Sequence, residues 1–429
     1  MIKLPGFMSG NSNRIFVGFN IGDNYCQISF SKDGETVETV SLITGEEEFN
    51  IPTVLCKREG VNQWFYGTDA ITYARDNEDG ILVERLLSLA WEGKPILVDG
   101  VAYQPVSLLA LFIKRCMSMV TATYSDRIGG VLFTAENLTY ENIGVLKEAV
   151  SILKLKTEKI YFQSHTESYY HFMVHQADEL WRGGSILFEY ENDEINAYRM
   201  QSNFGTVPIV IYIDEKRYPM PTGSRGNVTD TDHELIQLDR AYTNIVTEAC
   251  EAEDTVSVFL VGSKYNDIWM KESKKYLCSK YRVFQGSNLY SKGACYGLLD
   301  RMKNDPIERK NIFLGNDKLT ANVGMNIISQ NDETYFALLD AGVSWYDAQQ
   351  TFDFYIQDGN EIEFIIRSLV GGGDHIATIT LDEFSGKVSR MRCRLYMESE
   401  KILVAEIEDL GFGQFKPSTH KVWREEIPV

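Results

Sequence analysis

The sequence has 429 residues, of which 44% are hydrophobic and 12% aromatic, which is enough for two or three domains that each bury a core. Its formal net charge of −19 repels the phosphates of nucleic acids and anionic lipids, so we expect no nucleic-acid or membrane partner and favour an unknown protein or peptide. No apolar run reaches the roughly 20 residues of a membrane helix, and the first residues lack the apolar core of a signal peptide, so we expect a cytoplasmic protein.

The first predicted element is a β-hairpin over residues 14–30, with a tight turn at Gly22 and Asp23. Glycine in such a turn lets backbone N–H groups approach a phosphate, and a carboxylate at the end of the first strand would hold Mg²⁺ or orient a water molecule. That position carries Asn20, a neutral amide. The hairpin therefore indicates a nucleotide-binding fold with altered catalysis, and ordinary turn chemistry is the alternative explanation.

Strand-like and helical patterns alternate after this hairpin. The predicted elements are strands at 38–44 and 50–56, a helical pattern at 81–90, an apolar helix at 106–119, a buried strand at 129–135, a helix at 139–153 and a strand at 159–162. This alternation is typical of an α/β fold.

The same order of elements then recurs. The sequence predicts a helix at 164–176, a second hairpin at 183–200, a helix at 232–250, a buried strand at 255–261 and a helix at 265–277. Repetition of hairpin, strand, helix and strand indicates a duplicated α/β unit, which is typical of a protein with two lobes around a cleft. We expect a first lobe at 14–180 and a shortened second lobe at 181–303.

The last third of the chain has a different pattern. Short runs with period-two alternation, such as 361–367, 390–396 and 402–407, indicate an all-β domain, which we place at 318–429. Residues 304–317 are the predicted linker. The glycine run at 371–373 looks like a phosphate loop in isolation, but its place between two strand patterns favours a hairpin loop.

Neither cysteine nor histidine spacing assigns a metal site. The seven cysteines contain no CxxC pair. His171 and His175 lie four residues apart on a predicted helix, with His165 and Glu167 just upstream, which is a spacing that zinc could use. No acidic residue separates the two histidines, and the helix should pack on a sheet, so we favour a structural pair.

The order of these segments and the residues within them resemble those of the seventy-kilodalton heat-shock chaperones of the DnaK type, which belong to the actin, sugar-kinase and heat-shock ATPase superfamily. Residues 18–22, Gly-Phe-Asn-Ile-Gly, resemble the first phosphate loop, and Gly183-Gly184-Ser185 falls where the second is expected. Residues 258–263, Val-Phe-Leu-Val-Gly-Ser, and 293–297, Gly-Ala-Cys-Tyr-Gly, resemble the adenosine motif and the element after it. The resemblance implies an actin-like (ribonuclease H-like) two-lobed ATPase fold followed by a β-sandwich.

The resemblance also implies a nucleotide site with ATP or ADP and Mg²⁺ as cofactors. The implied nucleotide-binding residues are Gly22, Asp23, Asn24, Gly183, Gly184, Ser185, Gly262, Ser263 and Gly293. Glu167 corresponds to a catalytic carboxylate of the family, although a glutamate at a helix start is also favoured by the helix dipole.

Several positions depart from the family pattern. Asn20 stands for the strand-end aspartate, Glu84 for the lysine that assists phosphoryl transfer, and Leu180 for the second-loop aspartate, with Glu179 as a possible substitute. Phosphoryl transfer needs Mg²⁺ and cationic donors around the developing charge, so these changes weaken it. The resemblance, with no helical lid after the β-domain, therefore implies a degenerate, non-catalytic or weakly catalytic interaction protein. The alternatives are an active Mg-dependent ATPase or kinase and, third, a lidless peptide-binding chaperone.

Overall fold

The computed structural model describes fourteen stretches of the chain: residues 14–123, 127–136, 138–155, 157, 159–191, 193–221, 231–251, 255–303, 311–315, 317–329, 332–369, 373–384, 388–399 and 401–429. The chain divides into two compact units. The first is Met1–Ser202 with Ile213–Arg309, and the second is Asn203–Tyr212 with Lys310–Val429. The protein is of the mixed α/β class.

Strands and helices alternate through the first two thirds of the chain. The strands are β1 (Arg14–Ile21), β2 (Tyr25–Ser31), β3 (Glu38–Thr39), β4 (Ile51–Pro52), β5 (Leu55–Arg58), β6 (Trp64–Tyr66), β7 (Gly80–Val83), β8 (Ile96–Val98), β9 (Val101–Tyr103), β10 (Arg127–Ala135), β11 (Ile160–Ser164), β12 (Ser185–Glu191), β13 (Glu194–Asn203), β14 (Ile209–Pro219), β15 (Ser257–Val261) and β16 (Arg282–Gln285). The helices are α1 (Gly67–Asp76), α2 (Leu86–Glu92), α3 (Pro105–Thr123), α4 (Tyr140–Leu153), α5 (His165–Val174), α6 (Thr231–Glu251), α7 (Glu272–Lys280) and α8 (Leu289–Met302).

The first sheet is built around the β1–β2 hairpin. Its strand order is β11-β10-β1-β2-β3, with β4 also paired to β2. Strands β1, β10 and β11 are parallel, and β2 runs antiparallel to β1. Ile15, Val17 and Phe19 of β1 are fully buried, as expected for a central strand. The predicted first hairpin is confirmed.

The second sheet repeats this arrangement. Its order within the first unit is β16-β15-β12-β13-β14, with β12, β15 and β16 parallel and β13 antiparallel to β12. The helices follow the same scheme, because α3, α4 and α5 alternate with β10 and β11 in the first half, as α6, α7 and α8 do with β15 and β16 in the second. The structure thus contains the repeated α/β unit.

Helix α8, at the end of the second half, packs on the first sheet. Its Ala294 and Leu298 share a hydrophobic cluster with Leu132 of β10. Two glycines permit this approach: a Cβ on Gly18 of β1 would lie 2.3 Å from the Cys295 nitrogen, and a Cβ on Gly293 would lie 1.9 Å from the Ser168 carbonyl oxygen of α5. The crossing of β1, α8 and α5 therefore depends on residues without side chains.

Beyond residue 310, the described residues of the second compact unit form strands and loops, with one short 3-10 helix at Trp345–Asp347. Its strands are β17 (Asn311–Leu314), β18 (Ala321–Ser329), β19 (Asp332–Leu339), β20 (Gln349–Ile356), β21 (Glu361–Ser368), β22 (His375–Thr380), β23 (Ser389–Ser399), β24 (Ile402–Gly411) and β25 (Val422–Pro428). Two four-stranded sheets, β19-β18-β21-β22 and β20-β23-β24-β25, enclose one hydrophobic core that includes Phe364, Cys393 and Leu403. This arrangement confirms the predicted C-terminal β-structure.

Two predicted helices differ in the structure. The pattern at 81–90 is strand β7 followed by the short helix α2, because β7 pairs with β5 and Gly80 lies close to Ala74. The helix predicted at 265–277 begins only at Glu272. Tyr265 and Trp269 lie in the non-helical stretch before it, where both rings are buried in the core of the second sheet. Tertiary packing overrides local periodicity in both places.

The predicted linker at 304–317 is also corrected in part. Residues 304–310 lie outside the described residues, but Asn311–Leu314 form β17, which pairs in parallel with Ile209–Tyr212 of β14. The apolar run Ile-Phe-Leu explains why this stretch joins a sheet. Gly371 and Gly372 are likewise outside the described residues, whereas the flanking strands β21 and β22 pair antiparallel, as a hairpin requires.

Within the described residues, no helix has both the length and the apolar character needed to cross a membrane.

Candidate functional site

The two hairpins place their turns at the carboxyl ends of their first strands. Asn20 of β1 lies opposite Gln27, and Glu189 of β12 lies opposite Asn196. Counted from the centre of each turn, Asn20 and Glu189 occupy the same position. The hairpins meet where the Tyr25 hydroxyl donates to Glu191 Oε1 at 3.5 Å. This meeting point is the candidate site.

Asn20 has a buried, uncharged environment. It is 4% exposed, and its Oδ1 lies 2.8 Å from His165 Nε2. The His165 ring stacks on Tyr290 with centroids 3.9 Å apart. Burial lowers the pKa of His165 to about 3, so the imidazole is neutral at pH 7. Because an amide oxygen only accepts, Nε2 carries the proton. The end of β1 therefore holds a neutral pair of an amide and an imidazole.

We expect His165 to contribute to acid unfolding. Its pKa is lower in the folded state than in the unfolded state, so the unfolded chain takes up a proton first, and stability falls as pH drops from about 6.5 to about 3. The slope of the unfolding free energy against pH should therefore decrease by up to about 1.4 kcal/mol per pH unit in His165→Gln. Urea unfolding at several pH values measures it. An unchanged slope in His165→Gln would rule out this role.

The first turn uses its polar groups internally. The Gly22 N–H donates to the Tyr25 carbonyl at 3.1 Å, and the Asn24 carbonyl accepts from the Thr53 N–H at 3.1 Å. The Asp23 carboxylate accepts from both the N–H and the hydroxyl of Ser88, in the first turn of α2. These hydrogen bonds stabilise the conformation of the turn, so its polar groups have a structural role. Glu84 is exposed in the loop just before α2.

The structure corrects the predicted second phosphate loop. Ser185 is the first residue of β12 and pairs with Ser257, the first residue of β15, so Gly183, Gly184 and Ser185 lie at the amino ends of these parallel strands. The seven-residue strand separates them from the β12–β13 turn by about 20 Å. The prediction rested on this glycine pair. At Gly183 a Cβ would lie 2.4 Å from Val256 Cγ2, so a larger residue there would require the Val256 side chain to shift.

Sequence reasoning missed Glu189, which the structure brings into the site. It is 8% exposed and accepts a hydrogen bond from the Tyr198 hydroxyl at 3.4 Å. Burial, followed by the charge of Glu136, raises its pKa to about 8. Alignment of the two hairpins on their turns, Asp23-Asn24 with Asn192-Asp193, would have found it. At neutral pH this carboxyl is largely protonated.

The adenosine-motif residues also have internal partners. Gly262 has a φ of +111°, and a Cβ there would lie 2.4 Å from the Tyr190 carbonyl oxygen. Ser263 donates its N–H and its hydroxyl to the two Glu191 carboxylate oxygens at 2.9 and 3.1 Å. The donors that could bind an anion after β15 are therefore used by a carboxylate of the chain itself. Gly293 is buried at the crossing of α5 and α8.

Glu167 belongs to a buried ion pair. It is 4% exposed, and its Oε1 accepts from Arg301 Nη2 of α8 at 2.9 Å. Its N–H donates to Ser164 Oγ, which caps α5. Glu179 lies at the other end of β12, where it pairs with Arg282 at 2.6 Å. Neither carboxylate joins Glu189.

His171 of α5 and His175, which directly follows the helix, share one carboxylate. His171 Nδ1 and His175 Nε2 lie 3.1 and 3.0 Å from Asp300 Oδ2 of α8. Burial raises the pKa of Asp300, but the hydrogen bonds from both histidines outweigh it and lower the pKa overall. His165 is turned to Asn20 instead. Among the residues that the structure describes, no group of three or more histidine, cysteine, aspartate or glutamate side chains is arranged to hold a metal ion.

Two family models together match most of the chain. The model described as the C-terminal part of a family of unknown function, DUF5716, matches residues 36–316, which is more than half of the chain. A second model, described as a domain of unknown function, DUF8552, matches residues 318–429. A search of curated proteins finds no match. The chain therefore belongs to the DUF5716 family and carries a DUF8552 domain at its C-terminal end.

Proposed function

We propose that this protein is a heat-shock-chaperone-like interaction module: an actin-like, two-lobed nucleotide-binding fold whose ATPase chemistry is reduced or lost, joined to a β-sandwich. The repeated strand orders β11-β10-β1-β2-β3 and β16-β15-β12-β13-β14 support the actin-like part of the proposal. The return of α8 to the first sheet also supports it, because it couples the two halves. The partner is a protein or peptide.

One observation carries the loss of catalysis. Glu191 satisfies the Ser263 N–H and hydroxyl and accepts from Tyr25, so a carboxylate stands where a phosphate would need these donors. Opposite it, Asn20 bonds to a neutral imidazole. A bound nucleotide phosphate would have to displace Glu191 and would gain no cation from Asn20 or Glu84.

The proposal is tested by Mg·ATP turnover, measured on the wild-type protein and on Glu189→Gln. We expect neither protein to hydrolyse ATP above the no-enzyme rate. Glu189 is the right target because it is the carboxylate that shares the turn position of Asn20, whereas Glu179→Gln alters an exposed ion pair at the other end of β12 and serves as the control. Turnover that Glu189→Gln abolishes and Glu179→Gln leaves intact would overturn the proposal.

That same outcome would establish the second candidate, an active Mg-dependent ATPase or kinase with ATP or ADP as its ligand. The observation that favours this second candidate is Glu189, which places a carboxyl group beside the β12–β13 turn. The third candidate, a peptide-binding chaperone, is favoured by the second unit alone. A surface cavity of about 750 Å³ there is lined by Tyr355, Val388 and Phe412.

A further inference from the structure

Glu189 lies buried where acidic groups from both halves of the first unit converge. Glu191 follows it two residues later on β12 and contacts Tyr25 of the first hairpin. Glu136 comes directly after β10, in the first half. Arg217 of β14, whose charge acts on Glu136, pairs with Glu215 at 2.8 Å. The contact between the two hairpins is therefore made in an acidic environment.

The groups around Glu189 come from six elements. They are Tyr25 of β2, Glu136 after β10, Glu191 of β12, Tyr198 of β13, Tyr265 after β15 and Tyr290 of α8. Farther out, Glu215 and Arg217 of β14 act on Tyr198. All four tyrosines are neutral near pH 7, because burial raises the pKa of each further above 10. The charges that change the energy of Glu189 are thus those of Glu136 and Glu191.

We propose that Glu189 is a proton-operated latch between the two hairpins. With its proton, Glu189 adds no charge to the cluster, and the first turn stays held to β12 through the Tyr25 to Glu191 hydrogen bond. When Glu189 releases the proton to solvent, a third carboxylate charge appears beside Glu136 and Glu191, and repulsion loosens the contact. The latch operates whether or not the cleft binds a nucleotide, so it does not depend on the proposed function.

The direction of the effect follows from linkage. The pKa of Glu189 rises from 4.5 in the unfolded chain to about 8 in the folded protein, so the folded state holds the proton more tightly. Its contribution to stability is complete below about pH 4.5 and is lost as pH rises to about 8. This direction is opposite to that of His165. A closed contact at slightly acid pH and a looser one at alkaline pH are the expected states.

Amide hydrogen exchange of the peptide that spans residues 19–28 tests the latch, after correction for the intrinsic pH dependence of exchange. From about pH 6 to about pH 9 we expect a tenfold loss of protection in the wild type, about 1.4 kcal/mol in the opening equilibrium. Glu189→Gln should keep its protection throughout, because the amide cannot ionise. Glu179→Gln, whose carboxylate pairs with Arg282 away from the cluster, should follow the wild type.

A second variant keeps the test decisive if Glu189→Gln fails to fold. Glu136 is exposed, so Glu136→Gln should fold normally. Its loss of charge should move the midpoint of the protection change to lower pH, because Glu136 raises the pKa of Glu189. A wild-type peptide whose protection does not change with pH, an identical profile in Glu189→Gln, or an unmoved midpoint in Glu136→Gln would each overturn the latch.

Discussion

Gly293→Ala is expected to destabilise the protein by about 3 kcal/mol or more, because its Cβ would lie 1.9 Å from the Ser168 carbonyl oxygen. That oxygen belongs to the backbone of α5, so no flexible side chain can yield. On the other side of α8, Gly18 is in similar contact with Cys295, which limits movement of the helix toward β1. Urea unfolding measures the loss through the midpoint and the slope.

Gly144→Ala is the matched control for this substitution. Gly144 is an exposed residue of α4, and a Cβ there would meet no atom within 4 Å. Alanine in an exposed helix interior should stabilise by about 0.5–1 kcal/mol. If Gly293→Ala lowers the free energy of unfolding and Gly144→Ala raises it, the close helix crossing is located at α8. Equal stability of Gly293→Ala and wild type would contradict the described contact between α5 and α8.

Arg301→Met is the second change with a large expected effect. It removes the guanidinium that lies 2.9 Å from Glu167 Oε1, whereas the Glu167 carboxylate is 5% exposed and keeps only the weaker contact with His171 Nε2 at 3.7 Å among the ion pairs described. Breaking a buried pair in this way costs about 3–5 kcal/mol. Arg301 also donates to Gln163 at 2.8 Å, so a second buried group loses its donor. Thermal or urea unfolding should show the loss at neutral pH.

Lys303→Met is the control, since Lys303 pairs with Asp300 at 3.1 Å but its side chain is 64% exposed. Exposed pairs of this kind contribute about 0–1 kcal/mol. In the Arg301→Met background, Glu167→Gln should recover part of the lost stability, because it removes the buried carboxylate charge that Arg301 no longer balances. If Arg301→Met and Lys303→Met cost the same, the Glu167 ion pair would not be the structural element described here.

Local patterns in the sequence predicted most elements of the fold. The hairpins at 14–30 and 183–200, the apolar helix that became α3 and the all-β C-terminal part all have strong periodicity. The short strands β6, β8 and β9, the strands β14 and β16 and helix α8 are among the elements that were not predicted. Helix α8 is buried around much of its circumference and contains Gly293 and Gly297, so it has little of the amphipathic pattern that marks a helix.

The site was harder to predict than the fold. Asn20 was found because it ends a clear strand, whereas Glu189 is enclosed by the apolar run of β12 and was overlooked in favour of the nearby glycines. The Glu167 and Arg301 pair joins residues 134 positions apart, and the Asn20 and His165 pair joins residues 145 apart. Such contacts depend on how the helices and sheets pack, so no local pattern in the sequence predicts them.

Thermal unfolding with Mg·ATP, Mg·ADP or EDTA most directly tests the proposal that the site where the two hairpins meet does not bind nucleotide as an ATPase would. A ligand present at 100 times its dissociation constant would add about 2.7 kcal/mol to the unfolding free energy. Because Glu191 already occupies the Ser263 donors, we expect the same melting temperature in all three solutions at millimolar nucleotide. A nucleotide-specific increase that disappears with EDTA would contradict the account.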